Sequence, residues 1–210
     1  VHKGIQNAYK EWSQTYDDDE NRTRDLDQDV LRRQFDGLQF DSILEIGCGT
    51  GKNTSFLTRI GQSVRAVDFS QGMIVKAREK VLAENVRFSL MDITQTWEFE
   101  NESFDLIVCS LVLEHILDLP HVFSEAARTL RLGSHFFIDE LHPFRQYEGT
   151  KARFYRSEEK VEVNAFIHHI SDFLKAAQKS RLSLVQLEEY WHETDENKPP
   201  RILSLYFERR

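Results

Sequence analysis

Through the first two thirds of the chain, short and nearly continuous apolar runs alternate with amphipathic stretches. The runs Ile43–Ile46, Ser63–Val67 and Val86–Leu90 have the look of strands, and Phe104–Ile116 opens with almost no polar position. Such a run belongs at the centre of a parallel sheet, buried on both faces. Helical spacing appears from about Lys52 to Ile60 and from about Leu119 to Leu130, the latter leading into a fifth strand within Arg131–Asp139. About residues 1–40 are expected to be helical, with Tyr9, Trp12 and Tyr16 three and four apart on one helix face. Beyond about Glu140 the pattern loosens into a loop-rich insertion and then a helix near Ser171–Lys179. Two closing strands follow, Leu182–Glu189 and Arg201–Glu208, paired antiparallel across the turn Asn197-Lys198-Pro199-Pro200. The alternation predicts an α/β chain of one domain, 1–210, with helices in 1–40, five β/α units in 41–140, and an insertion with closing strands in 141–210.

The chemistry concentrates where the first strand ends. In Ile43-Leu44-Glu45-Ile46-Gly47-Cys48-Gly49-Thr50-Gly51-Lys52-Asn53-Thr54, three glycines alternate between strand and helix. Glycine admits positive φ and lets a ligand approach bare backbone, and the helix beyond aims its first N–H groups at the loop. A small nucleoside-like ligand is expected here. The dinucleotide fingerprint G-x-G-x-x-G, counted from Gly47, needs a glycine where this chain has Lys52, which disfavours a pyrophosphate. About twenty residues on, Asp68 ends the second strand, where a carboxylate can accept hydrogen bonds from both hydroxyls of a ribose.

These residues resemble the class I S-adenosylmethionine (SAM)-dependent methyltransferases of the small-molecule type, whose first motif reads very like LEIGCGTG. The stretch Phe104-Asp105-Leu106-Ile107-Val108-Cys109-Ser110-Leu111-Val112-Leu113-Glu114-His115 is similar to that family's FDLVVSSLVLEH. The likeness spans about residues 9–208 and is most specific from Ile43 to Ile116. It implies a Rossmann-like doubly wound sheet of seven strands, the last antiparallel, with helices on both faces. It also implies SAM as cofactor and S-adenosylhomocysteine (SAH) as product. Carried over residue by residue, it puts Glu45, Gly47, Cys48, Gly49, Gly51 and Asn53 at the loop. Asp68, Phe69, Ser70 and Met73 fall at the ribose and adenine, Asp92 and Ile93 at the adenine edge, and Ser110 and Leu111 at the end of the fourth strand.

The opening Tyr9-Lys10-Glu11-Trp12-Ser13-Gln14-Thr15-Tyr16-Asp17 resembles the family's YDxxAxxYD, a helix that folds over the cofactor as a lid. Tyr16 is then expected at the methionine end, with Tyr9, Arg24 and His169 on the acceptor side. Two departures stand out. Leu132 and Ser134 replace the Pro and second Gly of the family's KPGG turn, and Arg181 stands where relatives often end the last helix with Gly. A left-handed Arg181 costs on the order of 1 kcal/mol.

Composition narrows the partners. Lys and Arg number 27 against 35 Asp and Glu, a formal net charge of −8, and no basic run is present to track a phosphate backbone, so no nucleic-acid partner is expected. No apolar stretch reaches the length of a membrane span and no cleavable signal pattern is visible. The two cysteines, Cys48 and Cys109, fall within motif strands rather than in a disulfide framework, which predicts a reducing, cytoplasmic setting. The eight histidines lack metal-ligand spacing, so no metal is expected. The expected partner is a small-molecule methyl acceptor, met by a monomer or a homodimer.

A nitrogen, oxygen or carboxyl acceptor must present a lone pair, and a general base contributes about 10²–10⁴-fold where a proton leaves. His142, just beyond the fifth strand, and His115, just beyond the fourth, are the expected bases; His168 and His169 precede the last helix, where capping or packing is the expected role unless one of them faces the pocket. A SAM-binding protein without transferase activity and, less well matched, an NAD-dependent oxidoreductase remain open as alternatives.

Overall fold

Phe136 and Phe137 are consecutive in sequence, yet each is fully buried and each belongs to a different hydrophobic cluster. Successive side chains of a strand point to opposite faces, so both faces of their sheet are covered. The computed structural model describes residues 2–156 and 159–210. The chain begins with helices α1 (His2–Trp12) and α2 (Arg22–Phe35), followed by β1 (Phe40–Ile46), α3 (Thr54–Ile60), β2 (Gly61–Asp68), α4 (Gln71–Lys80) and β3 (Val86–Leu90). The second half of the sheet comes from β4 (Phe104–Ser110), a 3-10 turn at Leu113–His115, α5 (Leu119–Thr129) and β5 (Leu130–Leu141). Then come α6 (Pro143–Tyr147), β6 (Arg153–Arg156), β7 (Glu159–Glu162), α7 (Ile170–Lys179), β8 (Leu182–Tyr190) and β9 (Ile202–Arg209).

Seven strands form one sheet in the order β3-β2-β1-β4-β5-β9-β8. The first five strands run parallel, and β9 lies antiparallel to both β5 and β8. Leu31 and Phe35 of α2 and Leu57 of α3 pack with Ile43, Leu106 and Phe137. Phe123 and Ala126 of α5 and Phe173 of α7 pack with Leu44, Ile107 and Phe136 in the other cluster. Strand order reverses between β1 and β4, and the crevice outside the carboxyl ends of strands at such a point is where ligands bind in open α/β sheets.

Three expectations need correction. The five strands of 41–140 are not joined by five β/α units, because 91–103 between β3 and β4 contains no helix. Trp97 is buried there, its N–H donates to Glu125 Oε2 at 2.7 Å, and Arg128 donates to the carbonyls of Trp97 and Phe99. Two side chains of α5 thus satisfy backbone groups that a helix would otherwise pair internally. The helix after the glycine loop starts at Thr54 rather than about Lys52; the Asn53 amide donates to Asp27 Oδ2 (2.8 Å) and makes no side-chain cap bond. The insertion beyond Glu140 is more ordered than a loop: it holds α6 and the antiparallel pair β6–β7.

Arg181 is left-handed as expected, with φ of 57°. No separate turn precedes β5; Gly133 takes φ of 75° within the strand, and Leu132 lies exposed at the surface. Among the described residues, no helix is long and apolar enough to cross a membrane.

Candidate functional site

The chain leaves β1 with Gly47 at φ of 73°, and a Cβ there would lie 2.1 Å from Val112 Cγ2. Only glycine fits between the two strand ends at this point. The N–H groups of Gly47 and Cys48 are tied to the Val67 carbonyl at 2.8 and 3.0 Å, which holds the loop against the end of β2. Asp68 continues that contact. Its Oδ2 accepts from Gly49 N–H (2.9 Å) and its Oδ1 from Ser70 N–H (2.8 Å). Burial pushes the Asp68 carboxyl up to about 6, against the opposing pull of those backbone donors. Each oxygen keeps acceptor capacity beyond these bonds.

A cavity of about 80 Å³ opens beside Asp68 at the carboxyl ends of the strands. Gly47 and Gly49 form its floor, Asp68, Phe69 and Met73 come from β2 and α4, and Asp92 and Ile93 follow β3. Ser110 and Leu111 enter from the end of β4, and Tyr9, Tyr16 and His115 close the cavity. Leu111 is a non-glycine residue at φ of 56°, a conformation costing about 1–2 kcal/mol. The kink is held by Leu111 N–H to the Asp139 carbonyl (2.8 Å) and by Val112 and Leu113 N–H to Glu140 Oε1 (2.9 and 2.7 Å). Burial pushes Glu140 up to about 8, with the nearby Glu114 adding to the effect.

α1 covers this cavity. Ile5, Trp12 and Val163 are buried together, with Tyr9, Tyr16 and Phe69 packed against them. Tyr9 meets Phe69 edge-on at 6.0 Å, and Gln6 donates to the Phe69 carbonyl. Ile5, Met91, Val112 and Ile116 also line the cavity and were not foreseen. Ile5 had a signal, since it lies one helical turn before Tyr9.

Five of the residues assigned to the cofactor lie behind the cavity wall. Glu45 accepts from Thr54 Oγ1 at 2.5 Å beneath the loop, and burial pushes its carboxyl up to about 8. Cys48 is buried with Ala66 and Ile74, while Gly51 backs onto Ala77 and Val81. Asn53 bonds Asp27, and Ser70 caps α4. They shape the loop rather than line the space it encloses.

A second, larger cavity of about 530 Å³ lies across a shared wall of Tyr9, Tyr16 and Leu111. Trp12, Arg24, Glu114, Leu141 and Arg201 are among its lining residues. Arg24 stacks over the Tyr16 ring at 4.0 Å and donates to the carbonyls of Tyr16 and Asp19, so it faces this second cavity and not the first.

His142 and His169 line neither cavity. The His142 ring is wholly buried, donates from Nε2 to Glu189 Oε1 (2.8 Å) and accepts at Nδ1 from Phe144 N–H (3.2 Å). Both nitrogens are occupied in joining α6 to β8, which removes the geometry expected of a base. His169 is exposed at the start of α7, with Nδ1 2.5 Å from the Tyr147 hydroxyl. His168 bonds the Ile116 carbonyl through Nε2 at 2.7 Å.

Residues 44–138, somewhat under half the chain, match a methyltransferase domain family. The chain is 35% identical over 116 residues to the biotin biosynthesis bifunctional protein BioHC of Saccharophagus degradans, covering 54% of this chain and 21% of that one. It is 27% identical over 143 residues to the ubiquinone biosynthesis O-methyltransferase of Xanthomonas oryzae pv. oryzae, covering 65% of this chain and 57% of that one. The chain thus spans well under two thirds of the length of these curated relatives. The crystal structure of a SAM-dependent methyltransferase from Mesorhizobium loti superposes with a TM-score of 0.73 at 19% identity, covering 86% of this chain and 96% of that one. Residues 44–138 match the methyltransferase-domain family, and the fold of the chain is that of the solved SAM-dependent methyltransferase structure it superposes on.

Proposed function

We propose that the chain transfers a methyl group from SAM to a small soluble acceptor, at nitrogen, oxygen or carboxyl, and releases SAH. The observation that carries this reading is the convergence of Gly47 and Gly49, Asp68, Asp92 and Ile93, and Ser110 and Leu111 on one cavity from the ends of four strands. The residues fit the group: Gly47 and Gly49 offer bare backbone to the cavity, and Asp68 presents a carboxylate with acceptor capacity to spare. Asp68 would hold the ribose, Asp92 and Ile93 the adenine edge, and the backbone at Gly47 and Gly49 the methionine end. When bound, SAM supplies a methyl group already activated by its sulfonium. The chain contributes position and exclusion of water, and orientation of reactants is worth about 7–11 kcal/mol.

The second cavity, of about 530 Å³, suits a small acceptor, and the shared wall at Tyr9, Tyr16 and Leu111 is where acceptor and methyl meet. α1 is the lid. The cavity beneath it, about 80 Å³, is smaller than the roughly 300 Å³ at the low end for ligand sites, so α1 must lift for a nucleoside to enter and then settle back over it, with Ile5 giving up the space.

Calorimetry with SAH, followed by incubation with methyl-labelled SAM and a metabolite extract, tests the reading. Uptake of SAH and a labelled product of defined mass are expected. Uptake without transfer identifies a non-catalytic SAM-binding protein, and an isotherm with NADH in place of SAH an oxidoreductase.

A further inference from the structure

Tyr9 belongs to the lid, but its hydroxyl is engaged in the site. The Tyr9 hydroxyl lies 2.7 Å from His115 Nε2, and His115 Nδ1 lies 2.9 Å from the Asn164 carbonyl. A carbonyl only accepts, so Nδ1 carries the imidazole proton, and Nε2 is left as an acceptor for the Tyr9 O–H. Donating that proton inward leaves the lone pairs of the Tyr9 oxygen available to another donor. Tyr9 lines both cavities, and His115 lines the first.

We propose that Tyr9 receives the acceptor's proton during methyl transfer and passes its own to His115, a relay assembled only when α1 is docked. This rests on the methyl-transfer reading. As the acceptor's lone pair forms its bond to the methyl carbon, the carbon–sulfur pair stays on sulfur. The acceptor's X–H proton moves to Tyr9 Oη, and the Tyr9 proton moves to His115 Nε2. The phenol is regenerated, and the charge gained is an imidazolium on His115. That cation is received between the Asn164 carbonyl and Glu114, whose Oε1 is 3.7 Å from Nε2.

Direct ionisation of Tyr9 is opposed by its surroundings. Burial holds the phenol well above its ordinary value, and Tyr16, Glu114, Asp68 and Glu140 all face it and push in the same direction. A concerted hand-over to His115 avoids a free phenolate, whereas a lone tyrosine base would have to form one.

The test joins a spectroscopic readout to turnover. In ¹⁵N-labelled protein saturated with SAH, the imidazole spectrum is expected to show neutral His115 in the Nδ1–H tautomer, with an Nε2 resonance that shifts in Tyr9→Phe. An Nε2–H tautomer, or a resonance unmoved by Tyr9→Phe, overturns the relay. With methyl-labelled SAM and the acceptor identified from extract, Tyr9→Phe and His115→Asn should each lower turnover about 10²–10⁴-fold, with SAH affinity held within about threefold. The double variant should be no slower than the worse single one. Tyr9→Phe keeps the ring that packs on Phe69, so turnover near wild type in this variant refutes the relay while leaving methyl transfer standing. Wild-type protein that takes up SAH yet labels nothing refutes the methyl-transfer reading itself.

Discussion

Replacing Gly47 with alanine tests the central geometric claim about the loop. At φ of 73° an alanine pays the left-handed penalty of about 1–2 kcal/mol. Its methyl also meets Val112, 2.1 Å from Cγ2 and 3.2 Å from both Cβ and Cγ1, so rotating the valine exchanges one clash for another. Val112 cannot step aside freely either, since its N–H is held by Glu140 Oε1. Overpacking of this kind costs about 1–3 kcal/mol. The reduced freedom of the unfolded chain returns about 0.4–1 kcal/mol, for a net loss of about 1–5 kcal/mol. In a domain this size each kcal/mol moves the midpoint by about 2–4 °C. Urea denaturation followed by circular dichroism measures the loss directly. Adding Val112→Ala should relieve the clash but not the dihedral strain. The double variant should therefore be about 1–3 kcal/mol more stable than the sum of the single effects. Strictly additive effects, or an unchanged Gly47→Ala, would refute this account of the loop.

Other expectations follow from the same geometry. Asp68 accepts best from ribose hydroxyls when ionised, and its folded pKa is about 6, so SAH affinity measured by calorimetry should weaken as pH falls through about 6 and level off above 7. Asp68→Asn should bind weakly across the range, and a flat wild-type profile would remove Asp68 from the ribose. His142→Ala should lose about 1–3 kcal/mol of stability through its bonds to Glu189 and Phe144, leaving SAH affinity unchanged. Lost turnover at full stability would return His142 to the chemistry. Arg181→Gly removes a left-handed side chain at the cost of a freer unfolded state, for a net change between about zero and a gain of about 1.6 kcal/mol in thermal denaturation, and a clear loss would refute the strain.

What was legible in the sequence was what backbone and periodicity dictate. The alternate glycines, the acid ending β2 and the apolar run of β4 each specify a local geometry, and all three lie where expected. Side-chain direction was not legible. His142 follows its strand as closely as His115 follows β4, but only contacts with Glu189 and Phe144, on elements 47 and two residues away, decide that it turns inward. The helix missing between β3 and β4 was hidden for a related reason. Arg128 and Glu125 look like an ordinary i, i+3 surface pair on α5, and nothing local reveals that they hold the Trp97 loop. Asn164 left no pattern at all, because a backbone carbonyl that orients a histidine carries no side-chain signature.

The apolar contact of Ile5 with Val163 has a kinetic corollary. Returning both side chains to water alone costs about 3–6 kcal/mol, so at most roughly one molecule in 10² to 10⁴ has α1 lifted at any instant. On the proposed function, entry of SAM then depends on a rare opening, and apparent affinity falls by the same fraction. As ligand concentration rises, the observed uptake rate should saturate at the speed of that opening, so a truncation at Ile5 would quicken loading and unloading alike.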